Sequence, residues 1–333
     1  MEKHLLPQVP KYFKASLHTH STVSDGKLTP EQVRDLYRAL GFSILALTDH
    51  SVIVEHQDLN TDDLIMITGV EIDMDDRRDP AGDTRGRNRH LCLLAKTPYQ
   101  NWIPYRDTEP KPSSIAYEQY CEMGGMSNEY SAENCNAVIA ECNRRGYLVT
   151  YNHPCWSLES YPEYAPLKGL WAMEYRNTGS IELGYDENNG RIYQDLQMLG
   201  NRLMPVCADD MHKLSKAGKS WTMVGAEKLE YGAVMEALEK GDLYSSCGPQ
   251  IKSLTWDGQT LRVTCSACTC IQVVTQARVA HYAKGQALTK VEFDMTKWLK
   301  KSEGKELAFF RLILTAADGT YAVTRAYHLD ELK

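Results

Sequence analysis

The stretch Leu17–Gly26, LHTHSTVSDG, read together with Leu45–His50, LALTDH, decides how this chain folds. His18 and His20 stand two apart at the end of YFKASLHTH, which reads as a β-strand over residues 12–20. Side chains alternate along a strand, so the two imidazoles project from one face at its C-terminal end. The following loop offers Asp25 beside the turn-forming Gly26, and FSILALTDH supplies another strand that ends in Asp49 and His50. Neutral imidazoles and carboxylates converging on strand ends are the donor set of a borderline divalent metal. A His-x-His alone is most often a pair of structural histidines; here the surrounding segments set it apart.

Taken in order, the chain alternates strand and helix. TPEQVRDLYRALG is predicted to be a helix capped by Thr29, with Pro30 in its first turn and Gly41 at its end. Its apolar positions Val33, Leu36, Tyr37 and Leu40 follow the helical period. FSILALTDH is nearly continuous in apolar residues, as expected of a parallel strand buried on both faces. Leu64–Asp73 is a strand with Glu71 near its end, Met74–Arg89 a polar loop, and RHLCLLAK a strand with His90 at its start. Residues 98–131 are irregular and read as an insertion over the mouth of the fold. A helix capped by Ser131 leads to YLVTYNHP, ending at His153, then to WAMEYRN, a helix near 191–199, and LMPVCADDMH, ending at Asp210 and His212. This order from 14 to 249 predicts a parallel α/β barrel with its chemistry at the C-terminal strand ends. His90, at the beginning of its strand, requires a reversed one.

After Pro249 the pattern changes. Asp257-Gly258 and Asp318-Gly319 each separate two alternating runs, which predicts β-hairpins. The expected division is a barrel domain over 1–249 and a small antiparallel β-domain over 250–333. The second part shows no catalytic cluster, and His4, His56, His281 and His328 are isolated residues with structural roles.

Composition narrows the class. The 333 residues are 43% apolar and 24% charged, as in an ordinary soluble protein, and no run reaches membrane-span length. The opening MEKHLLPQVPKYFK lacks the apolar core of a secretory signal, so a cytoplasmic location is expected. Ten cysteines scattered through a chain of this size read as reduced thiols. In LRVTCSACTCIQVV, strand alternation puts Cys265 on the face opposite Cys268 and Cys270, which argues against a metal there. A net charge of −7 argues against an extended nucleic-acid groove and for a small phosphorylated substrate beside bound cations. Nothing in the sequence fixes an oligomeric state.

HTHSTVSDGKLTPEQV followed by LALTDH resembles the opening of the PHP superfamily, the polymerase and histidinol phosphatase metal-dependent phosphoesterases. GVEI at Gly69–Ile72, HLCLL at His90–Leu94, NHP at Asn152–Pro154 and DDMH at Asp209–His212 continue the resemblance in the same order, over roughly residues 14–249. The resemblance implies a PHP-type distorted (β/α)7 barrel and a centre of two or three divalent ions, zinc, manganese or iron. It assigns His18, His20, Glu71 and Asp210 to a first metal. Glu71 would bridge to a second completed by His90 and His153, and Asp25, His50 and His212 would hold a third. Asp49 is expected to orient a histidine from behind.

The activity so implied is hydrolysis of a small phosphomonoester, such as a nucleotide or histidinol phosphate, by a metal-activated water. Two alternatives stand beside it: a non-catalytic metal-stabilised module whose β-domain binds a partner, and a metal hydrolase of a non-phosphate bond. For phosphate recognition the loop Asp75–His90 offers Arg77, Arg78, Arg85, Arg87 and Arg89; Arg85 and Arg87 are the candidates, with Arg176 as rival. The same arginines could instead pair with Asp75, Asp76, Asp79 and Asp83.

Overall fold

Residues 2–9, 11–76, 86–107, 110–279 and 281–332 are described by the computed structural model. Seven strands lie side by side in chain order: β1 (Phe13–Ser16), β2 (Ile44–Leu47), β3 (Ile65–Asp75), β4 (Asn88–Ala95), β5 (Tyr147–Tyr151), β6 (Ala172–Asn177) and β7 (Met204–Ala208). β1–β2–β3 and β5–β6–β7 pair in parallel, whereas β4 runs antiparallel to both β3 and β5. That is the reversed strand which His90 required. Running the other way, β4 delivers its first residues to the same edge at which the other strands end.

The expected distorted (β/α)7 barrel is met only in part. Pairing among the described residues draws one mixed sheet of sixteen strands in place of a closed ring of parallel ones. β1 and β7 meet just beyond their last residues through the Thr19–Met211 bridge, where His20 N–H donates to the Met211 carbonyl at 3.0 Å. Along the rest of its edge β1 pairs instead with β8 (Trp221–Val224), antiparallel, and β8 pairs with β9 (Leu243–Ser246). Beyond β9 the sheet continues through β10 (Ile251–Trp256), β11 (Thr260–Thr275), β12 (His281–Asp294), β13 (Phe309–Thr315) and β14 (Tyr321–Thr324). β14 pairs with β9, so the strands after residue 250 belong to the same sheet. The Asp-Gly turns join antiparallel β10–β11 and β13–β14, as the hairpin pattern predicted.

The helices form where capping predicted. Thr29 closes a capping box with Gln32 on α1 (Pro30–Ala39), and Ser131 Oγ accepts from Asn134 N–H on α2 (Ala132–Arg144). Burying the strands on both faces is what their continuous apolar runs allow. On β2, Ile44 and Ala46 face one core cluster, and Leu45 and Leu47 face the one under α1. The inner cluster gathers Ala15, Ile44, Ile67, Leu94, Leu148, Ala172, Val206 and Ala208, each buried. A larger aliphatic side chain fully buried in this way contributes about 1.5–3 kcal/mol. The first strand ends at Ser16, so His18 and His20 lie just past it, short of the expected strand over 12–20.

One expectation in the C-terminal strands fails. Register shifts between Thr264 and Cys268 and again between Cys268 and Cys270 interrupt the alternation of β11. Cys265 and Cys268 are therefore both buried in one core cluster, on the same side and not on opposite faces. All ten cysteines are free thiols.

At the start of β4, Arg89 is buried and ion-paired with Glu159, whose carboxylate also accepts from the hydroxyls of Tyr130 and Tyr151. The pair fastens the first residues of β4 to the segment after β5. Removing one member strands a buried charge, so Arg89→Met should lower unfolding free energy by about 3–5 kcal/mol. The Arg89→Met, Glu159→Gln double variant should recover part of that loss, measured from denaturant midpoints.

Candidate metal centre

The inner face of the sheet changes character over a single two-residue step. On β3 the inward positions read Ile67, Gly69, Glu71; on the reversed β4 they read Leu94, Cys92, His90. On β6 Ala172 is followed by Glu174, and on β7 Val206 and Ala208 are followed by Asp210. Strand alternation thus carries each inner row from the apolar core straight into a carboxylate or imidazole. His18, His20, Asp25, His50, Glu71, His90, His153, Asp210 and His212, all nine expected donors, converge above that core. All except Asp25 and His212 are buried.

Five of the six separations among four donor atoms are nearly equal. His18 Nε2 and His20 Nε2 are 3.1 Å apart. His18 Nε2 lies 3.2 Å from Glu71 Oε2 and 3.3 Å from Asp210 Oδ1; His20 Nε2 lies 3.2 Å from each of them. These five distances are edges of a tetrahedron. The centre of a regular tetrahedron with such edges is about 2.0 Å from every corner, the length of a zinc–nitrogen or zinc–oxygen bond. Asp210 Oδ1 is buried and, despite its close imidazoles, has no neighbour in hydrogen-bonding geometry; His90 Nε2 and His20 Nδ1 are likewise buried without one. A buried carboxylate oxygen without a hydrogen-bond partner, set among close imidazole and carboxylate atoms, fits a divalent cation, and the cluster is suited to bind one.

The other expected ligands surround this tetrahedron. Glu71 turns its second oxygen to His90 Nδ1 at 3.0 Å, His153 Nε2 at 3.2 Å and the Asn152 amide at 2.8 Å. Asp25 lies 3.3 Å from His212 Nε2 and 3.8 Å from His50 Nε2. Groups whose donor atoms fall within 4.8 Å of one another are His20, Asp25, His50 and His212; His18, His153 and Asp210; and His50, Glu71 and His90. Distance alone therefore cuts across the three sets that the resemblance implies, with His50 shared between two of the groups. Cys92 makes a further group with His18 and Glu71, but burial pushes its thiol up to about 11, which disfavours the ligating thiolate.

The supporting residues were largely invisible in the sequence. His18 Nδ1–H donates to Glu174 Oε1 at 2.7 Å, which leaves Nε2 to face the centre. Glu174 Oε2 accepts from the His153 backbone N–H and from Asn177, whose amide also reaches Asp210. Period-two alternation in WAMEYRN could have placed Glu174 inward, beside Ala172. Asp49 has a different task from the one expected. Its carboxylate accepts from the backbone and hydroxyl groups of Ser21 and Ser24, so it fixes the loop between His20 and Asp25 and orients no imidazole directly. Gly26 is required in that loop, since an added Cβ would stand 2.7 Å from the His20 carbonyl carbon and oxygen. Asp210 adopts a left-handed φ of +49°, unusual for a non-glycine residue and typical of functional positions.

A cavity of about 350 Å³ opens over the cluster. Its wall includes Trp156, whose ring lies edge-on to His90 and His153 at 5.0 and 4.9 Å, together with Asp73 and Asp107. Burial pushes the Asp73 carboxyl up to about 6, helped by nearby Asp107. Of the expected arginines, Arg87 and Arg176 are not on this wall. Arg85 lies outside the described residues. Arg87 is held by Glu163 at 2.7 Å and Asp76 at 3.0 Å, and Arg176 by Asn188 at 2.8 Å and Ser220 at 3.1 Å. The lysines that do line the cavity, Lys111 and Lys216, were not anticipated.

Electrostatically the cluster holds protons where it is suited to hold cations. Burial opposes charge on His20 and His153, yet the adjoining carboxylates of Asp210 and Glu71 bring His20 to about 10, and Glu71 brings His153 to about 9. Glu71 and Asp210 are held well below the usual carboxylate range, against their burial, by the surrounding imidazoles. Burial, with His20 and His90 close by, drives His50 well below its ordinary value.

A family model for the PHP domain matches residues 16–183, half of the chain, and the protein belongs to the PHP family. Seven of the nine donors fall within that span; Asp210 and His212 follow it. No curated protein matches the chain. Among solved structures, similarity extends to a two-domain Bacteroides vulgatus protein containing a predicted PHP-like metal-dependent phosphoesterase. It is 14% identical, with 98% of each chain covered and a TM-score of 0.45. The lesion-specific endonuclease PfuEndoQ of Pyrococcus furiosus is 13% identical, with 90% of this chain and 68% of that one covered and a TM-score of 0.41. An amidohydrolase of Chromobacterium violaceum is 18% identical, covering 60% of this chain and 87% of its own, with a TM-score of 0.38.

Two outcomes follow. Glu174→Gln keeps the shape but weakens the orientation of His18, so metal affinity should fall about 10–100-fold, read by competition with a chromogenic chelator. A metal must also displace the protons on His20 and His153, whose raised values lie above neutral pH. Metal uptake should therefore release protons into a weakly buffered solution. Affinity should fall as pH is lowered from 8 to 6, by about tenfold per unit for each proton displaced.

Proposed function

We propose that this protein is a metal-dependent phosphoesterase that hydrolyses a small phosphomonoester at a centre of two or three divalent ions. The observation that carries this reading is the tetrahedron of His18, His20, Glu71 and Asp210 donors, with five further competent ligands beside it. When bound, divalent ions would supply Lewis-acid activation of water and neutralise charge on phosphoryl oxygens. His18, His20, Glu71 and Asp210 would hold the first; His90 and His153, with Glu71, the second; Asp25, His50 and His212 the third.

The chain's own contribution is placement. Glu174 fixes the ring of His18, Asn152 and Asn177 fix the carboxylates of Glu71 and Asp210, and Asp49 holds the loop that presents His20 and Asp25. Buried polar groups tied down in this way keep their geometry when substrate arrives, so little reorganisation is needed at the reacting centre. Trp156 covers the imidazoles of His90 and His153 and narrows the access of water. A cavity of about 350 Å³ suits a phosphate with a small organic group. Zinc, manganese and iron all accept this mixture of imidazole and carboxylate donors.

The test is reconstitution with zinc, manganese or iron, followed by a panel of phosphomonoesters and diesters. About two to three ions should bind per chain, and monoesters should be cleaved in preference to diesters. His18→Ala should abolish turnover with the circular dichroism of the folded chain retained, because His18 lies past the end of β1, above the apolar core, while the thermal midpoint should fall as buried Glu174 loses its partner. A reconstituted protein that binds no metal, or binds it and cleaves no ester, would overturn the assignment.

A further inference from the structure

Among the described residues, Lys216 is the one lysine or arginine that is both buried and on the cavity wall, with 7% of its surface exposed. Its ammonium makes a single hydrogen bond, 2.9 Å to the carbonyl of Gly179, and no ion pair with any described carboxylate. An ammonium has three donors, and its charge is expensive to bury unless something negative faces it. Two donors and the charge thus remain unmatched among the described residues. Lys111, the other lysine on the wall, is different: it is substantially exposed and already lies 3.6 Å from Asp25.

The position of Lys216 is fixed from two sides. It ends a short turn, Leu214–Lys216, that begins two residues after His212, and its tip anchors on Gly179 of the Thr178–Ile181 turn. Gly179 is pressed against the Asp210 backbone so closely that a Cβ there would lie 2.9 Å from the Asp210 carbonyl oxygen. Lys216 thus lines the cavity beside Gly179, which packs on the backbone of Asp210, one of the central donors.

We infer that Lys216 is a substrate-binding residue that receives a non-bridging oxygen of the phosphoryl group and favours the dianionic monoester over the singly charged diester. The inference rests on the phosphoesterase reading above and adds to it the residue that recognises substrate charge. An ammonium in a dry wall gains more from a second negative charge than it would in water, which gives the preference its sign.

The experiment compares metal-loaded wild type, Lys216→Met and Lys216→Arg on p-nitrophenyl phosphate and bis(p-nitrophenyl) phosphate, with orthophosphate as inhibitor. Lys216→Met should raise both KM for the monoester and the inhibition constant of orthophosphate about tenfold to a hundredfold, as loss of a charged hydrogen bond does. Diester cleavage should change far less, and Lys216→Arg should restore part of the monoester rate. Metal content and thermal midpoint should match wild type in both variants. If wild type cleaves the monoester while Lys216→Met keeps its KM and its orthophosphate inhibition, Lys216 does not bind substrate and the inference fails alone. Metal and stability lost in step with activity would make Lys216 a strut between two turns, which also overturns it. If wild type cleaves neither ester and orthophosphate does not bind, the phosphoesterase reading itself fails and takes this inference with it.

Discussion

Glu71 is a carboxylate almost without access to water, and the geometry of the centre is organised about it. One oxygen faces His18, His20 and, at 3.4 Å, His50; the other faces His90, His153 and Asn152. A buried carboxylate left alone would cost several kcal/mol, and it stays charged only because the imidazoles around it are positive or metal-bound. The same arrangement forces each of those imidazoles to keep its ring plane, since any rotation removes a partner from a charge that cannot find solvent. This constraint reaches five strand ends and two loops at once.

The sheet meets it by reversing one strand. Were β4 parallel to its neighbours, His90 would emerge at the opposite edge, a strand's length from Glu71. Antiparallel pairing sets His90 beside Asp73 on β3, two residues from Glu71 on the adjacent strand. The apolar rows below then act as a ruler: Ala172 and Ala208 set the heights of Glu174 and Asp210, each two residues further along the same face. A shift of register by one residue would exchange every one of these groups for a side chain of the outer core.

Much of this was legible in the sequence because alternation and capping are local. The donors at strand ends, the need for a reversed strand at His90, both long helix caps and the two Asp-Gly hairpins follow from short-range pattern. What could not be read was tertiary pairing. Arg87 lies in a run of charge that looks like a phosphate grip, yet one of its partners, Glu163, comes from 76 residues away. Lys216 sits in an ordinary polar stretch, KLSKAGK, and only the packing of Gly179 against Asp210 brings it to the cavity. The cysteines of β11 failed for a related reason, since a bulge has no strong local signature and changes the facing of each residue after it.

The pairing of β14 with β9 has a consequence for how the chain can be divided. β9 has β8 on one side and β14 on the other, so its backbone groups are satisfied on both edges. A chain cut at residue 249 would leave β9, four residues of LYSS with no charged side chain, as an open border of the sheet. Unsatisfied strand borders recruit other strands, including those of a second copy. The C-terminal strands therefore act as a selvedge, the woven margin that keeps the fabric of the first part from fraying into its neighbours.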